Sequence, residues 1–363
     1  MEDKKEMKKY YAGTLWRLVV AGLTINVIEL IVGQILSIVL TVNPDFPYLM
    51  PIQYILIVVA DAAGIGVFIL LNRKREKSVP KEGKLGFGWW IVILFVCFGV
   101  MFVGNIIGLI VSGLILFPFG YNLSNINAAT NLLTGDLSWL SVILGAISAG
   151  IIAPILEELL FRKLFIDYFG KYGKGAAILM SGLLFGLFHG NFSQFFYAFA
   201  MGIILAYVYS YTGKIKYTIA VHMTINFIAS GIMMFFLKIA DMNMGISILE
   251  VVEKYGQGLI DMDAYVEQFT ELVSANPIGF IGLMAYGLFI MFYYLLMFTG
   301  IIMCLVFLYK FIKFRKGQDM GAKGSKLAAM FNWASYVFYA MALFLFLYYY
   351  LNMILPVIMK FLK

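Results

Sequence analysis

Two adjacent glutamates and an arginine interrupt an apolar run in the middle of the chain, in the stretch PILEELLFRK at 154–163. A charged side chain inside an apolar membrane segment is energetically unfavourable, and such residues usually form ion pairs or have a functional role. On a helix, residues four apart share a face, so Glu158 and Arg162 can form an ion pair, whereas Glu157 points about 100° away. The residues that precede Glu157 in steps of four are all small: Ser141, Gly145, Ala149 and Ala153. Stripes of small residues let helices pack closely in lipid. We therefore expect this stripe to end at Glu157, and we expect the Glu157 carboxylate to face protein or a water-filled cavity.

The only two histidines of the chain follow in apolar segments downstream. His189 lies one helical turn after Phe185 in FGLFH, and His222 lies one turn before Asn226 in HMTIN. A carboxylate and an imidazole can hold and deprotonate a water molecule. A second imidazole and a carboxamide can donate hydrogen bonds to a developing oxyanion. This set of side chains suits the attack of water on an amide.

Other catalytic patterns are missing from the sequence. No serine or cysteine lies in a recognisable nucleophile motif, and HExxH does not occur. A zinc site built from Glu157, His189 and His222 is chemically feasible. The metal would, however, occupy the groups that are needed as base and oxyanion donors. We therefore predict metal-free chemistry without a cofactor.

The segments that must position these residues are those of a membrane protein. Of the 363 residues, 62% are hydrophobic and 13% are charged, which excludes an ordinary soluble domain. The net charge of +7 lies in short loops, so it indicates topology and no nucleic-acid partner. Long apolar runs predict an all-α polytopic bundle of about nine transmembrane helices, or eight if the short fifth run is discounted. These runs are 16–42, 50–72, 89–117, 138–168, 175–190, 193–212, 216–237, 278–311 and 333–359.

The loop charges predict the orientation of the bundle. The basic loops place the N-terminus in the cytoplasm and an acidic segment outside, with the run 16–42 as a retained anchor. In the acidic segment, helical spacing predicts one amphipathic surface helix that carries Met262, Val266, Phe269 and Val273. Gly182, Gly186 and Gly190 predict close packing of the fifth run. Cys97 and Cys304 imply no disulfide.

We divide the chain into four parts on these patterns. Residues 1–137 hold an N-terminal amphipathic segment and three accessory helices, and 138–237 form the catalytic helical core. Residues 238–277 are the acidic extracytoplasmic segment, and 278–363 hold two C-terminal helices.

Three short motifs carry a family resemblance within 138–230. EELLFR, FGLFH and HMTIN fit the patterns EExxxR, FxxxH and HxxxN in that order. This resembles the CAAX protease and bacteriocin-processing family (CPBP, or Abi), which includes the eukaryotic prenyl-protein CAAX endopeptidase. The resemblance implies a core of four helices and a glutamate protease in which Glu157 is the general base. It further implies that His189 orients the water, that His222 and Asn226 form the oxyanion hole, and that Glu158 and Arg162 support the site.

The resemblance also implies the partners. The expected substrate is a membrane-embedded, lipidated or leader-type peptide or protein, in the bilayer of a bacterial plasma membrane, while the oligomeric state stays open. Relatives include scaffolds and proteins of bacteriocin immunity, so a non-catalytic scaffold on the same fold is one alternative. Glu29 and Asp61, carboxylates of the first two runs outside the motifs, support a second alternative, an ion-coupled transporter.

Overall fold

All regular elements of the described chain are helices. The computed structural model describes residues 2–43, 46, 48–120, 138–240, 242–315 and 325–361. In chain order the helices are α1 Glu2–Val42, α2 Leu49–Asn72, α3 Phe87–Leu116, α4 Trp139–Tyr172, α5 Lys174–Phe188, α6 Phe192–Thr212, α7 Ile215–Ala240, α8 Met242–Gly256, α9 Met262–Ala275, α10 Pro277–Arg315, α11 Ser325–Met330 and α12 Trp333–Phe361.

Eight helices within these ranges are long and apolar enough to cross a membrane: α1, α2, α3, α4, α6, α7, α10 and α12. The fifth predicted run corresponds to α5, which is apolar but has 15 residues. A helix of that length spans about 22 Å, less than the roughly 30 Å of a hydrocarbon core. The chain is an all-α polytopic membrane protein, as predicted, with the smaller of the two helix counts.

The fourth helix departs from regular α geometry around the paired glutamates. Two π-helical turns, Ser148–Ile152 and Leu159–Leu164, flank the α-helical turn Ala153–Glu158. A π turn closes hydrogen bonds from i to i+5 and so takes one residue more than an α turn. A third π turn, Phe227–Ile232, follows Asn226 in α7. The helical periodicity that was assumed for α4 is therefore interrupted twice.

These π turns overturn the predicted course of the small stripe. The buried positions that lead along α4 to the glutamates are Ser141, Val142, Gly145, Ser148, Gly150, Pro154 and Glu158. The stripe ends at Glu158, and the prediction that it ends at Glu157 was wrong. The extra residue in the turn Ser148–Ile152 rotates the following residues, so Glu158 takes the buried side and Glu157 lies beside it.

Helices α5 and α6 form a closely packed hairpin that places His189. A Cβ atom added at Gly182 would lie 2.9 Å from the backbone nitrogen of Ile203, and one at Gly186 would lie 3.0 Å from the carbonyl oxygen of Phe195. The predicted packing is confirmed for these two glycines. It was wrong for Gly190, which lies beyond the end of α5 with a φ of 66°, a conformation that favours glycine.

One large buried cluster joins the outer helices to the central ones. It includes Met7 of α1, Phe98 of α3, Phe161 of α4, Phe185 of α5 and Phe338 of α12. Helix α1 packs against α2 and α12, and α3 packs against α6 and α10. The helices before and after the predicted core therefore enclose it, and the division into four parts remains a prediction.

The acidic segment contains two helices where one was predicted. The amphipathic helix is confirmed as α9, whose first turn is capped by the Asp261 side chain accepting a hydrogen bond from the Ala264 amide at 2.9 Å. Met262 and Val266 are exposed on it. Helix α8 was not predicted.

Candidate active site

The ion pair predicted from the i, i+4 spacing is present and fully buried. The Nε atom of Arg162 lies 3.2 Å from Oε2 of Glu158, and neither side chain has any exposed surface. The guanidinium carbon of Arg162 also lies 4.3 Å from the centre of the Phe185 ring, a cation–π contact. Arg162 therefore links the glutamate motif of α4 to the FxxxH motif of α5.

His222 bridges the two glutamates. Its Nδ1 atom lies 2.9 Å from Oε1 of Glu158, and its Nε2 atom lies 3.6 Å from Oε2 of Glu157. An ionised carboxylate only accepts hydrogen bonds, so Nδ1 carries the hydrogen that is donated to Glu158. That bond fixes the ring with Nε2 toward Glu157, whose side chain is 21% exposed compared with 2% for His222. The bridge was not predicted, because spacing along the sequence says nothing about contacts between α4 and α7.

His189 lies directly after the last residue of α5. Its Nδ1 atom is 2.8 Å from the carbonyl oxygen of Phe185, and since a carbonyl only accepts, Nδ1 donates and Nε2 is left as an acceptor. The Phe185 ring lies 5.0 Å from the His189 ring and 5.8 Å from the His222 ring, edge to face in both cases. Phe185 thus separates the histidines and supports both. The sequence analysis gave this phenylalanine no role, although its fixed place in FxxxH was a signal.

Asn226 ties α7 to the first π turn of α4. Its Nδ2 atom donates to the carbonyl oxygen of Ala149 over 3.2 Å. A carboxamide nitrogen has two hydrogens, so one more remains for another acceptor. Asn226 and His222 lie one turn apart on α7, as the motif requires.

Two neighbouring cavities lie at the site and share one lining residue. Asp61 and Glu157 are the polar side chains in the lining of a small chamber whose other walls are apolar. A groove of about 380 Å³ runs between α1 and α12, and Glu29 and His189 are among its lining residues. Phe188 belongs to both linings. The structure therefore brings Glu157, Glu158, Arg162 and His222 into direct contact, and places His189 in the cavity next to that of Glu157.

A metal site requires several ligating side chains that surround one point. Within the described ranges, no group of three or more His, Cys, Asp or Glu residues could hold a metal ion. Glu157, His189 and His222, the set considered for zinc, do not form such a group in this structure.

Comparison with known proteins finds a family match for the segment that holds the candidate site. Residues 138–228 match the family described as type II CAAX prenyl endopeptidase, Rce1-like. The predicted family resemblance is confirmed. This Rce1-like segment contains all three motifs and every residue of the predicted site, and it lies within α4 to α7.

One curated relative supports the same assignment. A Bacillus subtilis (strain 168) protein with the printed name "Putative membrane peptidase YdiL" is 35% identical over 81 residues, which are 22% of this chain. The chain spans about a third (33%) of the length of this relative. No solved structure matches the chain. Helices α1 to α3 and α8 to α12 lie outside the Rce1-like segment.

Proposed function

We propose that the chain is an intramembrane endopeptidase in which Glu157 activates a water molecule for attack on a peptide bond. The observation that carries the proposal is the bridge of His222 between Glu157 and Glu158. Two atoms 3.6 Å apart can both contact one water that lies to their side, at about 2.8 Å from each. Glu157 and His222 are therefore placed to act on the same oxygen.

The charges of the cluster fit this chemistry. Glu157, Glu158, Arg162 and protonated His222 sum to zero, which lowers the cost of placing them within a membrane-spanning bundle. In the protonated ring, Nδ1 donates to Glu158 and Nε2 becomes a second donor that faces the reaction. Glu158 and Arg162 then act as positioning residues that hold His222.

In the proposed reaction, the Glu157 carboxylate removes a proton from water while the water oxygen bonds to the carbonyl carbon. The electron pair of the carbonyl bond moves to its oxygen, and the resulting anion accepts hydrogen bonds from His222 and the free N–H of Asn226. When the oxyanion collapses, the carbon–nitrogen bond breaks and the departing amine takes the proton from Glu157. The products are a carboxylic acid and an amine, with one water consumed.

We assign His189 to the substrate side of the site. Its Nε2 atom is an acceptor, and the residue lines the groove next to the Glu157 chamber. His189 orients the water or the departing amine once the Phe188 side chain between the two cavities moves aside. The family resemblance likewise implied that His189 orients the water.

The substrate class follows from the family name and the membrane location. The family is described as a prenyl endopeptidase, so a membrane-embedded, lipidated or leader-type peptide is the proposed substrate. The basic loops support a cytoplasmic N-terminus in a bacterial plasma membrane.

A comparison of peptides from cells that carry wild-type protein or Glu157→Gln tests the proposal. At matched expression, we expect a precursor to accumulate in the Glu157→Gln cells and its shorter product to disappear. Glu271→Gln, which removes an exposed carboxylate on α9, is the matched control and should behave as wild type. Mass spectrometry of membrane and secreted peptides identifies both species.

Three other results would contradict parts of this proposal. Full processing by Glu157→Gln that folds normally would remove Glu157 as the base. Loss of activity in the presence of a chelator, with recovery on adding zinc, would replace the metal-free mechanism. An intact cellular phenotype without any difference in peptides would favour the scaffold alternative.

A further inference from the structure

The groove between α1 and α12 differs in chemistry from other clefts on the protein. Two clefts of similar size, one near Phe192 and Tyr350 and one near Trp139 and Phe227, are lined by apolar and aromatic side chains. The α1–α12 groove instead presents Asn26 and Glu29 from α1, Tyr348 and Asn352 from α12, and His189. Polar side chains that converge on a cleft are typical of a ligand site.

Glu29 gives this groove its charge. It is the one acidic residue in the described lining, and the lining includes no lysine or arginine. Asp61 of α2 is close enough to Glu29 for the two carboxylates to interact electrostatically. A carboxylate at this position in an apolar span is costly when it has no cation. A cation brought by a bound molecule would offset that cost.

The position of the groove connects it to the reaction. His189, a motif residue of the Rce1-like segment, contributes to its wall, and Phe188 alone is shared with the Glu157 chamber. A peptide segment lying in the groove would thus be adjacent to the reacting bond. Both long walls of the groove belong to α1 and α12, which lie outside the Rce1-like segment. A substrate preference set by these walls would therefore depend on α1 and α12 of this chain, and the Rce1-like segment alone would not produce it.

We propose that the α1–α12 groove binds the substrate segment next to the cleaved bond, and that Glu29 selects a cationic group there, the side chain of Lys or Arg or a free α-amine. This inference rests on the proposed endopeptidase function. Charge complementarity is its physical basis, because complementary charges across a binding site favour one partner and disfavour others.

The test uses purified full-length protein in detergent and a peptide library prepared from a digested proteome. Cleavage sites are collected by mass spectrometry for wild type, Glu29→Gln, Glu157→Gln and the exposed-site control Glu271→Gln. We expect wild-type cleavage sites to be enriched in Lys or Arg at one fixed position, and the same enrichment for Glu271→Gln. Glu29→Gln should lose that enrichment. Glu29→Lys should replace it with a preference for Asp or Glu.

Two reporter peptides that differ by one Lys-to-Gln exchange at the enriched position then quantify the effect. The ratio of their kcat/KM values should be about tenfold or more for wild type, at the lower end of measured couplings between close charge pairs, and should approach one for Glu29→Gln. Cleavage by wild type without enrichment, or with enrichment that Glu29→Gln retains, would overturn the inference alone. If wild type and Glu157→Gln release the same peptides, the proposed function itself fails.

Discussion

Two adjacent glutamates of the same type have different surroundings in this protein. Glu158 is fully buried between Arg162 and His222, whereas Glu157 retains 21% exposure and faces the chamber. A buried ion pair is weak evidence for net stability, but removal of one partner leaves an uncompensated charge. We therefore assign structural support to Glu158 and chemistry to Glu157.

Loss of the Arg162 charge should destabilise the protein. Arg162→Met removes the buried cation beside Glu158, leaves the hydrogen bond to His222 as its remaining side-chain contact, and should lower the free energy of unfolding by about 3–5 kcal/mol. Unfolding in detergent, followed by circular dichroism, measures the change. Lys216→Met, which removes an exposed lysine from the first turn of α7, is the control. Equal stability of the two variants would show that the pair contributes nothing to folding.

Asp61 separates the protease from the transporter alternative. In the chamber it is the second polar side chain beside Glu157, and a buried water needs two or more polar partners. Asp61→Asn keeps a hydrogen-bonding group and should retain most of the cleavage rate, whereas Asp61→Leu should lower the rate by about 10²-fold, similar to the loss of one catalytic hydrogen bond. Cleavage of a reporter peptide measures both. A coupled transporter would require the charge at Asp61 and would not cleave the reporter, so cleavage that survives in Asp61→Asn contradicts the transporter alternative. Complete loss of cleavage in Asp61→Asn would contradict the water-holding role of Asp61.

At the scale of helices, the sequence predicted the elements better than their internal geometry. The apolar runs and the i, i+4 pair Glu158–Arg162 follow from local spacing, and both were predicted. The π turn Ser148–Ile152 was not, because its composition, SAGII, is compatible with ordinary α-helix and only the packing of Gly150 against Phe227 of α7 distinguishes it. The bridge from His222 to Glu157 and Glu158 likewise joins α4 to α7, and local sequence patterns do not predict such contacts between helices.

The α5–α6 hairpin should be sensitive to a single methyl group. Gly182→Ala places a Cβ against the backbone of Ile203 and should destabilise the protein by about 1–3 kcal/mol through overpacking. Because His189 lies at the end of α5, the cleavage rate should fall with stability. Gly33→Ala is the control, since a Cβ at Gly33 of α1 meets no atom within 4 Å. Thermal unfolding in detergent and reporter cleavage are measured together, and a neutral Gly182→Ala would refute the close packing.

At the scale of the whole molecule, the outer helices take part in the site. Asn26 and Glu29 near the middle of α1 meet Tyr348 and Asn352 of α12 at the groove, although most of the chain separates them. No local pattern predicts such a pairing. The sequence analysis identified Glu29 and Asp61 as unusual carboxylates and used them as support for the transporter alternative. In the structure, Asp61 lines the chamber of Glu157 and Glu29 lines the groove of His189.

The orientation of the bundle can be measured with single cysteines. In a Cys97→Ala, Cys304→Ala background, Val266→Cys on α9 should react with a membrane-impermeant maleimide in intact cells, because the acidic segment is predicted to lie outside. Lys216→Cys, at the cytoplasmic start of α7 in this topology, should react only after permeabilisation. Both positions are exposed. The reverse pattern would invert the predicted topology.

The π turn Ser148–Ile152 determines which of the two glutamates lies on the buried side of α4. Neighbouring residues of a helix point about 100° apart, and the π turn takes up one residue more than an α turn. If this turn relaxed to α-helical bonding with all of its residues kept, Glu157 would turn toward the side now taken by Glu158. Arg162, four residues after Glu158, would then be out of step with the new buried carboxylate. Deletion of Ile151 together with the return to α-helical bonding would instead remove the extra residue and leave Glu158 on its present side. The arrangement of the two glutamates should therefore tolerate a single-codon deletion within this turn, but not the loss of the π geometry in the full sequence.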